Sequence, residues 1–432
     1  MQETRVWRAL LGLKNTVVEG VEFDDDAGGV VVHVRPTASR RGRCGACGRR
    51  SPGYDGGGGR RRWRALDLGT VQAFVEADAP RVRCPRHGVT VASVPWARHD
   101  AGHTRDFDDQ VAWLATVTSK TAVTRLMRVA WRTVGSIIAR VWADTGGATD
   151  RLEGLTRIGI DEISYRRGQQ YLTVVVDHGS GRLVWAAPGN SAATLRSFFD
   201  ALGEVRSAAI THVSADGADW IAVVVAERIP NAVVCADAFH VVQWATAALD
   251  QVRIQAWRDA RAAARSEPKR GRGAPRKDAP PRPASTLARG IQRSRYALWK
   301  NPEDLTDRQH AKLAWIAKTD PKLYRAYLLK EGLRTIFQLS YDDAVEALDR
   351  WIGWARRSRI PAFTKLALSV KKYRDVILNA IAHRLSNSLI ESVNAKIRLI
   401  TRIAFGFKNV DALIALAMLS LGGHRPALPG RN

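Results

Sequence analysis

Between residues 155 and 260 the chain alternates short apolar runs with helical patterns, and few folds can accept that alternation. Three apolar stretches, at 156–161, 170–176 and 182–187, follow one another through tight turns such as His178-Gly-Ser-Gly181 and predict an antiparallel meander. A helical pattern over 191–203, an apolar run over 209–215, a helix over 218–228, a run over 232–236 and a long helix from 238 come next. Strands separated by helices pair in parallel, so the expected product is a mixed sheet with helices against its faces.

The order β-β-β-α-β-α-β-α is that of a ribonuclease H-like domain, in which the first strand is central and the fourth lies beside it. Asp161 ends the first run in Thr156-Arg-Ile-Gly-Ile-Asp161, and Asp216 follows the fourth in Ile210-Thr-His-Val-Ser-Ala-Asp216. Much later, Ser386-Asn-Ser-Leu-Ile-Glu391-Ser-Val-Asn394 supplies a Glu on a helical pattern. Three carboxylates suffice to hold two hard divalent cations, magnesium or manganese in its place. Two such ions activate a water or hydroxyl and neutralise a leaving oxygen in phosphodiester chemistry. In this scheme Asp161 bridges both metals, Asp216 holds one and Glu391 the other. Asp237, in Val233-Val-Cys-Ala-Asp237-Ala-Phe-His240, competes with Asp216, but its strand should sit one place further out. Glu162 neighbours Asp161 and faces the opposite side of the sheet. Carboxylates end strands in many α/β proteins, so the weight falls on the order of the three and on the helical Glu.

Lys plus Arg total 67 against 42 Asp plus Glu, a net charge of +25, which points to a polyanionic partner. The charge is spread through periodic apolar sequence, which fits a folded DNA binder better than a basic tail. No apolar run approaches the roughly 20 residues of a membrane span, and Met1-Gln-Glu-Thr-Arg-Val lacks a signal peptide's apolar core. A cytoplasmic, nucleoid-associated protein is expected.

Residues 1 to about 40 suggest short strands around the turn Asp24-Asp-Asp-Ala-Gly-Gly29, with alternation in Val30-Val-Val-His-Val34. Cys44-Gly-Ala-Cys47 and Cys84-Pro-Arg-His87 are two knuckles, 36 residues apart, and each offers two ligands to one structural zinc. Cys235, inside an apolar run, reads as core. From Arg105 to Trp142 the apolar period becomes helical and predicts three short helices, ended by a linker at Ala143-Asp-Thr-Gly-Gly-Ala-Thr-Asp150. The last two helices resemble a helix-turn-helix over 119–140, with Arg132, Thr133, Ser136 and Arg140 as the polar groups that would reach DNA.

The segments Pro268-Lys-Arg-Gly-Arg-Gly-Ala-Pro-Arg-Lys277 and Pro280-Pro-Arg-Pro283 predict an extended loop reaching towards 300, and helical periodicity returns over 303–380. Trp299, Trp351 and Trp354 at helical spacing suit a core better than base stacking. The expected fold is multidomain α/β: a zinc-binding β-rich module (1–100), a helix-turn-helix (101–150), a catalytic domain (151–260) interrupted by a basic loop and α-helical insertion (261–380), and final catalytic helices and tail (381–432).

Taken together, these motifs resemble the insertion sequence L-three family of bacterial DDE transposases over nearly the whole chain. Besides the knuckles and helix-turn-helix, the likeness rests on Gly159-Ile-Asp161-Glu162, Tyr171-Leu-Thr-Val-Val-Val-Asp177, Val213-Ser-Ala-Asp216, Asp237-Ala-Phe-His240 and Glu391-Ser-Val-Asn394-Ala-Lys396-Ile-Arg398 followed by Gly406-Phe-Lys-Asn409. The resemblance implies Asp161, Asp216 and Glu391 as an acidic triad, terminal inverted repeats of double-stranded DNA as substrate, magnesium-dependent cleavage and strand transfer, and a homo-oligomer, at least a dimer. It leaves the role of Asp237 and His240 open, between a phosphate contact and a helix cap for the histidine. Asn394, Lys396, Arg398, Arg402 and Lys408 lie where DNA phosphates would pass. Ser388 and Ser392 stand where similar proteins often carry Gly. The same modules with an inert centre would make an end-binding protein or repressor.

Overall fold

The computed structural model describes residues 2–25, 28–148, 150–216, 218–266, 283–407 and 409–431. Its central sheet contains the strands Arg157–Arg166, Gln170–Asp177, Arg182–Pro188, His212–Ala215 and Val233–Ala236. They are arranged third, second, first, fourth, fifth, the order of a ribonuclease H-like sheet. The first three pair antiparallel, and the fourth lies parallel between the first and the fifth. The hub strand does not stop at Asp161 but continues to Arg166, because its pairing with the second strand carries on through Glu162 opposite Thr173 and Ser164 opposite Tyr171.

Alternation divides the hub strand between two cores. Ile158 and Ile160, with Val175, Val213 and Ala215, pack against the helices Ala192–Leu202 and Asp219–Arg228. On the other face Ile163, Val174, Val176 and Leu183 meet Ile390, Val393 and Ile397 of helix Ser388–Ile403 and Leu413 and Met418 of helix Val410–Leu421.

That last helix, the closing helix, is apolar nearly all round, as a helix buried on two sides must be. Its Ala415, Leu416 and Leu419 enter the core formed by Phe107, Val111, Val134, Ile137, Ile138 and Val141 of the three-helix unit. Those helices span Arg105–Val117, Lys120–Met127 and Trp131–Ala148. The third is not short: it runs through Gly146 and into the stretch expected to be a linker. Gly146 leaves room for the Trp142 ring, which would come within 3.1 Å of a Cβ there, so the glycine serves packing rather than a break.

The insertion before Glu391 is helical. Val241, Leu249 and Val252 of the long helix Ala238–Ser266 share a core with Ile316, Leu333, Trp351, Phe363 and Val370. Residues 267–282, which hold most of the Arg/Pro segment, lie outside the described residues. Pro283 begins a helix, Pro283–Gln292, and Arg295–Trp299 follows, so the extended reading towards 300 is corrected; proline is tolerated at a helix's first turn because the N–H it lacks would have no intrahelical partner there. Trp351 is a core residue whose indole donates to the Leu329 carbonyl (2.8 Å).

At the N-terminus, helix Gln2–Leu10 replaces the expected strand, and Trp7 leans on the core of a four-stranded sheet. A three-stranded sheet of Gly53–Asp55, Arg81–Cys84 and Gly88–Val91 carries the second cysteine knuckle.

Leu419 is fully buried where the closing helix meets the three-helix unit. Leu419→Ala should destabilise the protein by about 2–5 kcal/mol, measured by urea denaturation; a loss below 1 kcal/mol would mean the helices do not share a core.

Candidate active site

Ile160, Ala215 and Ala236 are register partners across three neighbouring parallel strands. The next residues, Asp161, Asp216 and Asp237, therefore stand in a row, one strand spacing of about 4.8 Å apart along the sheet. Asp161, 8% exposed, accepts the Glu162 N–H on one oxygen (2.7 Å) and the Asn394 side-chain amide on the other (2.7 Å). Burial pushes its pKa up to about 6, the neighbouring Asp216 and Asp237 adding to the rise while the Glu162 N–H and His240 oppose it.

Asp237 is buried with both oxygens engaged: one accepts the Phe239 N–H (3.2 Å) and caps the long helix, the other accepts from His240 Nδ1 (2.7 Å). That bond, helped by the charges of Asp237, Asp216 and Asp161, raises the imidazole's pKa against the effect of burial. Asp216 is half-buried, and one of its oxygens accepts the Ala218 N–H (3.3 Å).

Helix Ser388–Ile403 exists because Ile390, Val393 and Ile397 recur at helical spacing against the sheet. Beside that stripe, Asn387, Glu391, Asn394 and Arg398 recur at spacings of four, three and four, and so share one side of the helix. Glu391 sits in the first turn; burial and then Asp237 push its pKa up, while His240 and Arg398 pull it down. Glu391 thus faces the same acidic centre as the row. Asn394, expected to meet DNA, is instead buried at 2% exposure and grips Asp161; its place three residues after Glu391 was the available signal. Among the described residues, the Asn394 Oδ1 and both amide atoms of Asn387 have no hydrogen-bond partner.

Lys396, Arg398 and Arg402 are exposed beyond Glu391, and Lys408 lies outside the described residues. Glu162 points to the opposite face of the sheet, towards Asn190, and burial followed by the charge of Asp216 raises its pKa. Asp177 closes its turn by accepting the Gly179 and Ser180 N–H groups. Asp219 is held by Tyr373 (3.1 Å) and Lys372 (3.4 Å) of the insertion.

Cys44, Cys47, Cys84 and His87 bring their ligand atoms within 4.8 Å of one another; among the described residues no other His, Cys, Asp or Glu group does so. Asp161, Asp216, Asp237 and Glu391 do not form such a group at that limit. The knuckle contacts are Cys47 Sγ to Cys84 Sγ at 3.8 Å, and His87 Nδ1 to Cys44 Sγ and to Cys84 Sγ at 3.6 Å each. A tetrahedral zinc with Zn–S of about 2.3 Å and Zn–N of about 2.0–2.1 Å requires edges of about 3.8 and 3.6 Å. The donor set and its spacing both fit zinc. Gly48 supplies the left-handed residue (φ +67°) that turns the first knuckle.

In the helix-turn-helix, Ser119 caps the second helix through the Ala122 N–H, and Arg128 ends it in the left-handed region. The recognition helix, Trp131–Ala148, exposes Arg132 and Ser136 and half-buries Thr133. Arg140 is differently employed: its guanidinium lies 3.0 Å from the fully buried Asp108 and donates to the Asp100 carbonyl (3.2 Å).

The mixed sheet, its acidic centre, the zinc knuckles and the helix-turn-helix together match family models. Residues 158–417 match a transposase catalytic model, 92–142 the helix-turn-helix domain of transposase family ISL3, and 40–87 the zinc finger of the transposases of IS204, IS1001, IS1096 and IS1165. The chain belongs to the ISL3 family of transposases. It is 64% identical, over all of its length and 98% of the relative, to the transposase for insertion sequence element IS1557 of Mycobacterium tuberculosis. It is 26% identical to the transposase for insertion sequence element IS1001 of Bordetella parapertussis, over 95% of this chain and 96% of that one.

Metal analysis should find one zinc per chain, lost in the double variant Cys44→Ser, Cys84→Ser; unchanged content would reject the site. A second expectation concerns Asp161, whose folded pKa, about 6, stands above its unfolded value. Its charge therefore opposes folding above that pH, and the opposition vanishes below the unfolded pKa. In metal-free buffer Asp161→Asn should stabilise the protein at pH 7.5 by ~2 kcal/mol, with no gain at pH 3.5; equal effects at both pH values would contradict the shift.

Proposed function

We propose that this protein is a DDE transposase that binds the terminal inverted repeats of an insertion sequence and catalyses metal-dependent strand cleavage and strand transfer. The observation that carries this reading is the in-register row of Asp161, Asp216 and Asp237, with Glu391 beside Asp237 on a helix packed against the same face of the sheet. Carboxylate oxygens suit magnesium, or manganese in its place, and two ions are the complement that Asp161, Asp216 and Glu391 would serve. Bound there, they would lower the pKa of the attacking water or 3′-hydroxyl and neutralise the departing oxygen.

The chain's own groups have separable tasks. Asn394 holds Asp161 in one orientation through a 2.7 Å bond. Asp216 takes the ligand role over Asp237, since its strand lies directly beside that of Asp161, with the strand of Asp237 one place further out. The bond to Asp237 raises the pKa of His240, whose imidazole stands among the charges of Asp216 and Asp161 and would there meet a phosphate oxygen. Phosphoryl transfer needs mainly positioning and charge stabilisation, which such a constellation supplies. Arg132, Thr133 and Ser136 would read the repeat in the major groove. Lys396, Arg398 and Arg402 would hold phosphates near the cut.

Two such chains would pair the two ends of an element, so at least a dimer is the working form. The protein works in the cytoplasm, at the nucleoid; among the described residues no helix is long and apolar enough to cross a membrane.

With element-end duplex and magnesium, Asp161→Asn and Glu391→Gln should each lose nicking by at least a hundredfold while binding the ends as the parent does. Cleavage by either variant at the parent's rate would refute the assignment, and a parent that binds ends without cutting them would make the protein an end binder.

A further inference from the structure

The turn after the Glu391 helix departs from what folded chains usually do. Helix Ser388–Ile403 closes with the Phe405 N–H donating to the Arg402 carbonyl (3.0 Å) and the Gly406 N–H to the Thr401 carbonyl (2.8 Å). Those two bonds define a cap whose penultimate residue must be left-handed, a place glycine usually takes. Here Phe405 takes it, at φ +54°, where a bulky side chain is an outlier. Nor does the fold gain from the ring, which is 87% exposed. Glycine would close the helix with less strain, so the phenyl group has its use outside the chain.

Phe405 lines a cleft of about 990 Å³ between the recognition helix and the catalytic domain. Lys120, Arg132 and Ser136 line it from the helix-turn-helix, and Tyr165 and Arg166 from the far end of the hub strand. Three cations and one carboxylate, that of Asp411, are among its lining residues. A polyanion matches that balance. The exposed polar face of the recognition helix and the Phe405 ring open on the same space, and both attach to elements packed on the helix Val410–Leu421.

We propose that this cleft seats double-stranded DNA and that Phe405 is its wedge, entering between base pairs and unstacking one step between the sequence being read and the bond being cut. The proposal rests on the transposase reading above and adds to it the place and the group that deform the duplex. Apolar side chains that enter a base step kink DNA and unstack it, and a phenyl ring stacks on any base, so the contact needs no particular sequence.

Full-length parent, Phe405→Gly and Phe405→Trp should be mixed with element-end duplexes carrying 2-aminopurine at successive positions. The parent should raise the fluorescence at one step. Phe405→Gly should lose that rise and bind the ends on the order of tenfold more weakly, while its thermal midpoint stays level or rises, because glycine suits the turn. Phe405→Trp should keep the signal. If Phe405→Gly unstacks and binds the duplex like the parent, the wedge is overturned while the transposase reading stands. If Phe405→Gly instead converts a DNA-free dimer to monomer, the ring belongs to a chain-to-chain contact and the proposal fails. A parent that neither binds nor cuts ends overturns both readings.

Discussion

Everything at the acidic centre depends on one registration: Ile160, Ala215 and Ala236 hydrogen-bonded side by side in parallel strands. A slip of one residue in either pairing would turn a carboxylate to the wrong face, because strand side chains alternate. The apolar cores on both faces hold that register, with Ile158, Ile160 and Val213 on one side and Ile163, Val174 and Val176 on the other. Repulsion among the acidic groups is thus overruled by hydrophobic burial elsewhere, the usual condition for charge held in an awkward place.

Much of this was legible in the sequence. The strands and the gathering of Cys44, Cys47, Cys84 and His87 follow from periodicity and spacing, which record local backbone geometry, while strand order and the adjacency of Asp161 and Asp216 came from the likeness to a ribonuclease H-like domain. The helix at Gln2–Leu10 was missed because Val6, Trp7 and Leu10 make a short stripe without a cap to announce it. Gly146 misled in the other direction: a glycine signals a break, unless a neighbouring indole needs the space. An Asn three residues after Glu391 suits a phosphate as well as a carboxylate, and only the face of the helix, which turns Asn394 to Asp161, decides between them. Arg140 likewise is one of many arginines in the sequence, and its bond to Asp108 is a long-range fact.

The division of the chain into modules is softer than the sequence suggests. One closing helix, Val410–Leu421, contributes to the core of the sheet and to that of the helix-turn-helix. Arg98 reinforces the arrangement by reaching Asp109 and Asp144 of two different helices while lying 3.8 Å from Asp108. The helix-turn-helix and the acidic centre are therefore joined through the cores that this helix shares.

The same closing helix has a consequence for synthesis. It and Glu391 belong to the final stretch of the chain, after the zinc module, the sheet and the whole insertion have emerged. Domains fold as they leave the ribosome, N-terminal parts first, but here the sheet's second face stays uncovered until the helices Ser388–Ile403 and Val410–Leu421 have followed the insertion out. A product cut short before those helices would leave Ile163, Val174, Val176 and Leu183 bare, an apolar face open to aggregation.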